Sequence, residues 1–145
     1  MEIAIDPAIF KHAVKIQVRF SDVDVLGHVS NTVYQSYYDY GKLKYVETVL
    51  GDISWEELAI VGASIKIDYI KPIFMRTQVF VKTRIASVGH KSITFEHLIV
   101  RRDNNEILSA CTAVVVCYKP KEQISVTVPE DWRRKIETYE MRTEI

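Results

Sequence analysis

From Ala13 to Phe20 apolar and polar residues take turns. Val14, Ile16, Val18 and Phe20 fall on one side, and Lys15, Gln17 and Arg19 on the other. A period of two predicts a half-buried strand. From Thr32 the period changes. Tyr34, Tyr37, Tyr38, Gly41, Tyr45, Val46 and Val49 recur at helical spacing, while Gln35, Lys42, Lys44 and Glu47 fall elsewhere, which predicts one long helix. Gly51, just past the last periodic residue, reads as its stop. Gly41 inside the helix costs about 1 kcal/mol against alanine. It is either tolerated there or marks a neighbouring backbone passing close by.

The second half alternates again. Gly62–Tyr69, Gln78–Val88, Ser92–Arg101 and Glu106–Lys119 read as strands, longer than the usual five or six residues. The links Lys71–Arg76, Gly89–Lys91 and Asp103–Asn105 are short, so hairpins and an antiparallel sheet are expected. The unbroken apolar run Ala113–Tyr118 predicts burial on both faces of the last strand. Met1–Lys11, with Pro7, reads as a loose lead-in, and Ser54–Leu58 as a short helical turn. Pro129–Thr138 has proline at its start, then acids, then bases, the order of a terminal helix. One long apolar helix and one long antiparallel sheet must cover each other, because neither buries its face alone. The expectation is an α+β domain over residues 1–145, with about five strands curled around a central helix and a short C-terminal helix.

Composition narrows the function. The 145 residues carry 19 basic and 19 acidic side chains. That balance argues against a general nucleic-acid or membrane-surface role. Cys111 and Cys117 lie on one predicted strand, on the same face but about 20 Å apart, too far to bridge. Free buried thiols fit a reducing cytosol, and a cytoplasmic location is expected. The cysteines have no zinc-site spacing, and neither a metal nor a cofactor is expected. The start, MEIAIDPAIF, lacks the pattern of a signal peptide.

The chemistry gathers just before the long helix. Asp22, Asp24, Gly27, His28 and Asn31 crowd the turn between the first strand and the helix. A carboxylate, an imidazole and an amide set against a helix start read as the reactive end of an enzyme. The string F-S-D-V-D-V-L-G-H-V-S-N-T-V-Y, with Tyr37-Tyr38-Asp39 behind it, resembles the 4-hydroxybenzoyl-CoA-type acyl-CoA thioesterases of the hotdog-fold superfamily. The resemblance covers nearly the whole chain. It implies hydrolysis of an acyl-CoA to free acid and CoA, with Asp24 as the catalytic carboxylate. Asn31 would be the residue whose backbone N–H, at the helix start, polarises the thioester carbonyl. The hairpin Gly89–Ser92 matches a loop near the CoA nucleotide, which implies Lys91 and Ser92 as substrate contacts. A homodimer or homotetramer, with sites between subunits, is implied as well.

Thioester hydrolysis needs a nucleophile or activated water and donors for the oxyanion. Asp24 could attack directly or act as a base on water, and the helix start supplies the donors. Asp22 reads as a structural acid, and Asp39 as a helix-surface charge. His28 orients the acid, contacts substrate or is structural. Asn31 is also a good helix cap through its side chain. Tyr34, Tyr37 and Tyr38 form a core stripe, from which Tyr34 could line an acyl pocket. Arg101 and Arg102 are further candidates for CoA phosphates, Arg76 and Lys82 weaker ones, and the cysteines read as core.

Two other functions compete. A hotdog hydratase or dehydratase pairs an acid with a histidine for proton transfer, and its motif sets four residues between them. Here Asp24 and His28 have three residues between them, and Asp22 and His28 have five. A non-catalytic acyl-CoA-binding regulator carries an extra DNA-binding segment, for which this length leaves no room. An acyl-carrier-protein thioester is the other carrier the pattern allows.

Overall fold

The structure is a computed structural model and describes residues 5–145. Helix α1, Asn31–Leu50, is its axis. It buries Tyr34, Tyr37, Tyr38, Gly41, Tyr45, Val46 and Leu50, the stripe expected from the spacing. Gly51 ends it at φ 77°, a conformation that suits glycine. Gly41 marks a close approach. A Cβ there would lie 2.5 Å from Val81 Cγ1 and 3.2 Å from Thr83 Oγ1, so what approaches the helix backbone is a pair of strand side chains rather than the neighbouring backbone expected. At the other end the capping position is Ser30. The reading of Asn31 as a side-chain cap is therefore corrected: Asn31 is already inside the first turn.

Around α1 curls an antiparallel sheet of β1 (His12–Ile16), β2 (Ala59–Tyr69), β3 (Val79–Val88), β4 (Ser92–Arg101) and β5 (Ile107–Lys119), in the order β1-β3-β4-β5-β2. A short β6, Ile124–Ser125, pairs with the end of β5. Alternation explains the layers. Val79, Val81, Ile85, Ile93, Phe95, Ile99, Cys111, Ala113 and Val115 face the helix and join its tyrosines in one core. On the back of the sheet Phe10, Leu98, Val100 and Ala110 form a second, smaller cluster.

Several expectations change in detail. The first strand stops at Ile16, and Phe20 is 84% exposed. The chain leaves the sheet there because a tight turn over Phe20–Asp22 carries it to the helix. Ile5–Phe10 is no loose lead-in. Asp6 accepts from the Ala8 N–H at 2.9 Å to cap a turn over Pro7–Ile9, and Phe10 plugs the back of the sheet. Residues 1–4 of that expectation lie outside the described residues. The link Lys71–Arg76 is no hairpin. β2 and β3 sit on opposite sides of the β4–β5 pair, so this link crosses one end of the sheet and drops Ile73 into the core. In β5 one face is buried through Ala113, Val115 and Cys117, while Val114, Val116 and Tyr118 are half-buried. Ser54–Leu58 forms the single turn expected, closed on the Ser54 carbonyl.

Helix α2, Glu130–Glu140, closes the C-terminal side with Trp132 and Ile136 buried. Arg133 donates to the Val88 and Gly89 carbonyls, and Arg142 to those of Ile85 and Ala86. Among the described residues no helix is long and apolar enough to cross a membrane.

Candidate active site

The turn before α1 is held from both ends. Asp22 is buried, and its Oδ2 accepts the Tyr37 hydroxyl at 2.7 Å and the Arg19 N–H at 2.9 Å. The Arg19 guanidinium lies 3.7 Å from Oδ1. Burial, and then the bond to Asp22, raise the Tyr37 phenol pKa. The Asp22 carbonyl accepts from Ser30 N–H at 2.9 Å. Asp22 thus stitches the turn to the helix, the structural part expected of it.

Asp24 is placed differently. Its N–H donates to the His28 carbonyl at 2.8 Å, and Gly27, at φ 79°, completes the tight reversal. Its Oδ1 accepts from the Leu26 N–H at 2.9 Å and the His28 N–H at 3.3 Å. Its Oδ2 receives no donor among the described residues. One oxygen fixes the carboxylate and the other is free. His28 is held by a backbone bridge to Phe74 and an edge-on ring contact at 4.9 Å.

Past this turn α1 begins. The Asn31 and Thr32 N–H groups meet no acceptor among the described residues, as first-turn amides do unless something caps them. Asp24, His28, Asn31 and Tyr34 line a single cavity of about 300 Å³ with Tyr69 and Lys71. A larger trough of about 850 Å³ lies along Lys15, Arg19, Ser36, Tyr37 and Tyr40. It is less suited to catalysis, because its one carboxylate, Asp22, already has partners on both oxygens. Asp24, which keeps a free carboxylate oxygen, and Asn31, whose helix amide is free, line the same smaller cavity.

Lys91 and Ser92 lie elsewhere. Ser92 is aligned with Val116 of β5, whereas Tyr69 at the cavity is aligned with Ser109. Seven strand residues separate those levels, roughly 23 Å. The Gly89–Ser92 hairpin therefore does not meet Asp24 within one chain. Arg76, Arg101 and Arg102 share a notch of about 380 Å³ with Gln78; Arg101 pairs with Asp103 and Arg102 donates to Gln78. Lys82 donates to the Pro7 carbonyl. Asp39 pairs with Lys42 at 3.4 Å on the helix surface, as expected of a surface charge. Cys111 and Cys117 are buried and free. Burial pushes their thiols up to about 12 and about 11, the wrong direction for a nucleophile. Among the described residues no cluster of side chains could hold a metal ion.

Two lining residues, Tyr69 and Lys71, have no signal in the sequence. Tyr69 ends β2 and Lys71 opens the crossover, a link that the residue pattern reads as a hairpin. Their approach to α1 follows only from the strand order.

Known proteins resemble this chain along most of its length. The family model of the thioesterase-like superfamily matches residues 18–136. The chloroplast acyl-acyl carrier protein thioesterase ATL3 of Arabidopsis thaliana is 27% identical over 129 residues, which are 86% of this chain and 66% of that protein. A second, ATL2, is 26% identical over 66% of this chain and 52% of its own length. The chain thus spans between half and two thirds of the curated thioesterases it matches. A thioesterase from Thermus thermophilus, solved with coenzyme A and zinc, superposes with TM-score 0.76 at 30% identity, over 90% of this chain and 95% of that one. The PA5185 protein of Pseudomonas aeruginosa shares the fold with TM-score 0.83 at 24% identity, over 91% of this chain and 93% of that one.

Proposed function

The chain belongs to the thioesterase-like superfamily, and from that premise we propose that it hydrolyses an acyl-CoA to a free acid and CoA at the Asp24 cavity. The observation that supports this reading is that Asp24, with its free Oδ2, and Asn31, with its free first-turn amide, line one cavity.

The thioester carbonyl lies with its oxygen toward the Asn31 N–H. Asp24 either attacks the carbonyl carbon or takes a proton from the water that does. In both cases the carbonyl oxygen becomes an oxyanion beside the positive end of α1. The intermediate collapses, the C–S bond breaks and the thiolate leaves. Direct attack leaves a mixed anhydride on Asp24 that water then opens; the base route gives the acid at once. Tyr34 borders the acyl group, and His28 braces the turn and contacts substrate. His28 is not the proton partner a dehydratase needs, because it meets Asp24 through its backbone N–H while its ring faces Phe74.

Lys91 and Ser92 reach a CoA nucleotide only from a second copy of the chain. The open edge of β2, with Val61, Ile65 and Tyr69 exposed, supports a homodimer, alone or paired into a homotetramer. Acyl-carrier-protein thioesters are the other carrier, supported by the relatives ATL3 and ATL2.

Asp24→Asn is expected to lower kcat by about 10²–10⁴, the usual worth of a positioned acid–base group, with an unchanged melting temperature. Hydrolysis of an acyl-CoA panel followed by thiol release checks it; full activity in the variant would sink the assignment. Single turnover in ¹⁸O-water tests the anhydride route: label in Asp24 shows that water opened an anhydride at the Asp24 carboxyl carbon, which the base route never does.

A further inference from the structure

A group of charges lies on the cavity's end of the sheet, and the proposed reaction leaves it without a use. Arg76, Arg101 and Arg102 line one notch with Thr77, Gln78 and Asp103. Three guanidinium groups stand there against one carboxylate, in a chain whose 19 basic and 19 acidic residues balance. Their own bonds leave most of that charge available. Arg76 is exposed and forms neither a hydrogen bond nor an ion pair among the described residues. Arg101 meets Asp103 only at 3.5 Å, with both side chains open to solvent, and such a pair contributes little. Arg102 is braced rather than neutralised. Its Nη1 donates to Gln78 Oε1 at 2.9 Å, and its backbone N–H to the Gln78 carbonyl at 2.9 Å.

Two short relays join the notch to the Asp24 cavity. Lys71, which lines the cavity, pairs with Glu106, and the Glu106 carbonyl accepts the Arg101 N–H at 2.9 Å. His28, also in the cavity wall, bridges to Phe74, whose N–H donates to Thr77 Oγ1 at 3.1 Å. The strand register gives the separation. Tyr69 is aligned with Ser109, and Ser109 with Ile99. Arg101 lies beyond Ile99, at the end of β4. That is about 10 Å across the sheet and about 7 Å along it, roughly 12 Å from Tyr69 in all. Pantetheine, the arm between the thioester and the nucleotide of CoA, is as long as about four extended residues, roughly 14 Å. The notch is therefore within reach of the same chain's cavity, as the Gly89–Ser92 hairpin is not.

Resting on the hydrolase reading, we propose that the notch of Arg76, Arg101 and Arg102 is an anion site that holds a phosphate of the CoA nucleotide while the thioester lies at Asp24. A guanidinium fork matches phosphate in shape and in charge. Three such groups in one notch suit a compact, highly charged ligand better than the broad face of a carrier protein. The coenzyme carries a diphosphate and a separate 3′-phosphate, so Lys91 of a second copy keeps a phosphate of its own.

Arg76 and Arg102 are exposed, so Arg76→Gln, Arg102→Gln and the double variant are expected to fold. Calorimetry reads the binding of CoA itself in an Asp24→Asn background. Each substitution should weaken it about tenfold, the worth of a hydrogen bond to a charged group, and the two together more. Added salt should weaken CoA binding in the parent and much less in the double variant. With Asp24 restored, the ratio of kcat/KM for octanoyl-CoA to that for octanoyl-pantetheine, which has no phosphate, should fall by the same factor. The ratio excludes a merely structural role, which lowers both substrates together. Equal CoA affinity in the parent and the double variant overturns the proposal. So does an unchanged ratio, or a loss seen only with an acyl-carrier-protein thioester. A protein whose CoA affinity the substitutions weaken, yet which hydrolyses no member of an acyl-CoA panel, supports the notch and overturns the hydrolase reading alone.

Discussion

Asp22 and Asp24 stand two positions apart and differ in what their oxygens do. Those of Asp22 are taken up by Tyr37, Arg19 and the turn. Asp24 keeps one oxygen free. Neighbours in sequence made this part of the candidate site legible, since Asp24, His28, Asn31 and Tyr34 line one cavity through one turn and one helix start. Tyr69 and Lys71 were not legible, because strand order rather than spacing brings them in. A second residue-scale contrast concerns protons. His97 is fully buried against Thr83, which meets its Nδ1 at 2.9 Å. Burial chiefly, then Lys42 and His12, lower its pKa from the usual 6.5 to about 3. The unfolded chain therefore takes up the proton first. Stability is complete above about pH 6.5 and falls as pH drops toward 3, by at most about 1.4 kcal/mol per pH unit for this one group. His12, whose pKa burial also lowers, adds in the same direction. Melting temperatures at pH 7.5 and pH 5 should therefore differ more in wild type than in His97→Gln; equal differences would remove His97 as a cause.

At the scale of elements, α1 and β3 are locked at Gly41. Alanine there gains about 1 kcal/mol of helix propensity, but its Cβ would press on Val81 at 2.5 Å. Overpacking of that kind costs about 1–3 kcal/mol. The balance predicts a lower melting temperature for Gly41→Ala, and partial recovery when Val81→Ala makes room. Thermal denaturation of the single and double variants checks this; a stabilised Gly41→Ala would show that the helix can lift off the strand at little cost. The helix, β3, β4 and β5 were legible to within a residue or so, because each carries a sustained period or, in β5, a continuous apolar run between clear turn residues. The end of β1 and the β2–β3 crossover were not. Phe20 continues the alternation, yet the bonds of Asp22 turn the chain away. A short link fits a hairpin and a crossover equally well until the neighbours of each strand are known.

At the scale of the whole molecule, the sheet and its helix bury each other as the element inventory demanded, and the N-terminal segment adds a plug on the back that no period announces. The two free thiols then gain an unexpected use. Cys111 and Cys117 lie on β5, zipped along its length between β4 and β2, and neither side chain is presented to solvent. A thiol reagent can reach them only when that interior strand comes apart, so modification rates become a stopwatch for opening of the fold. If β5 opens as one unit, both sites should react at the same rate across a urea series, with a denaturant slope equal to that of global unfolding. Mass spectrometry of each peptide after pulsed alkylation reads this directly, and an early reaction at Cys117 alone would locate a weak end near the hairpin. The protein thus carries, in a strand paired on both sides, its own pair of internal clocks.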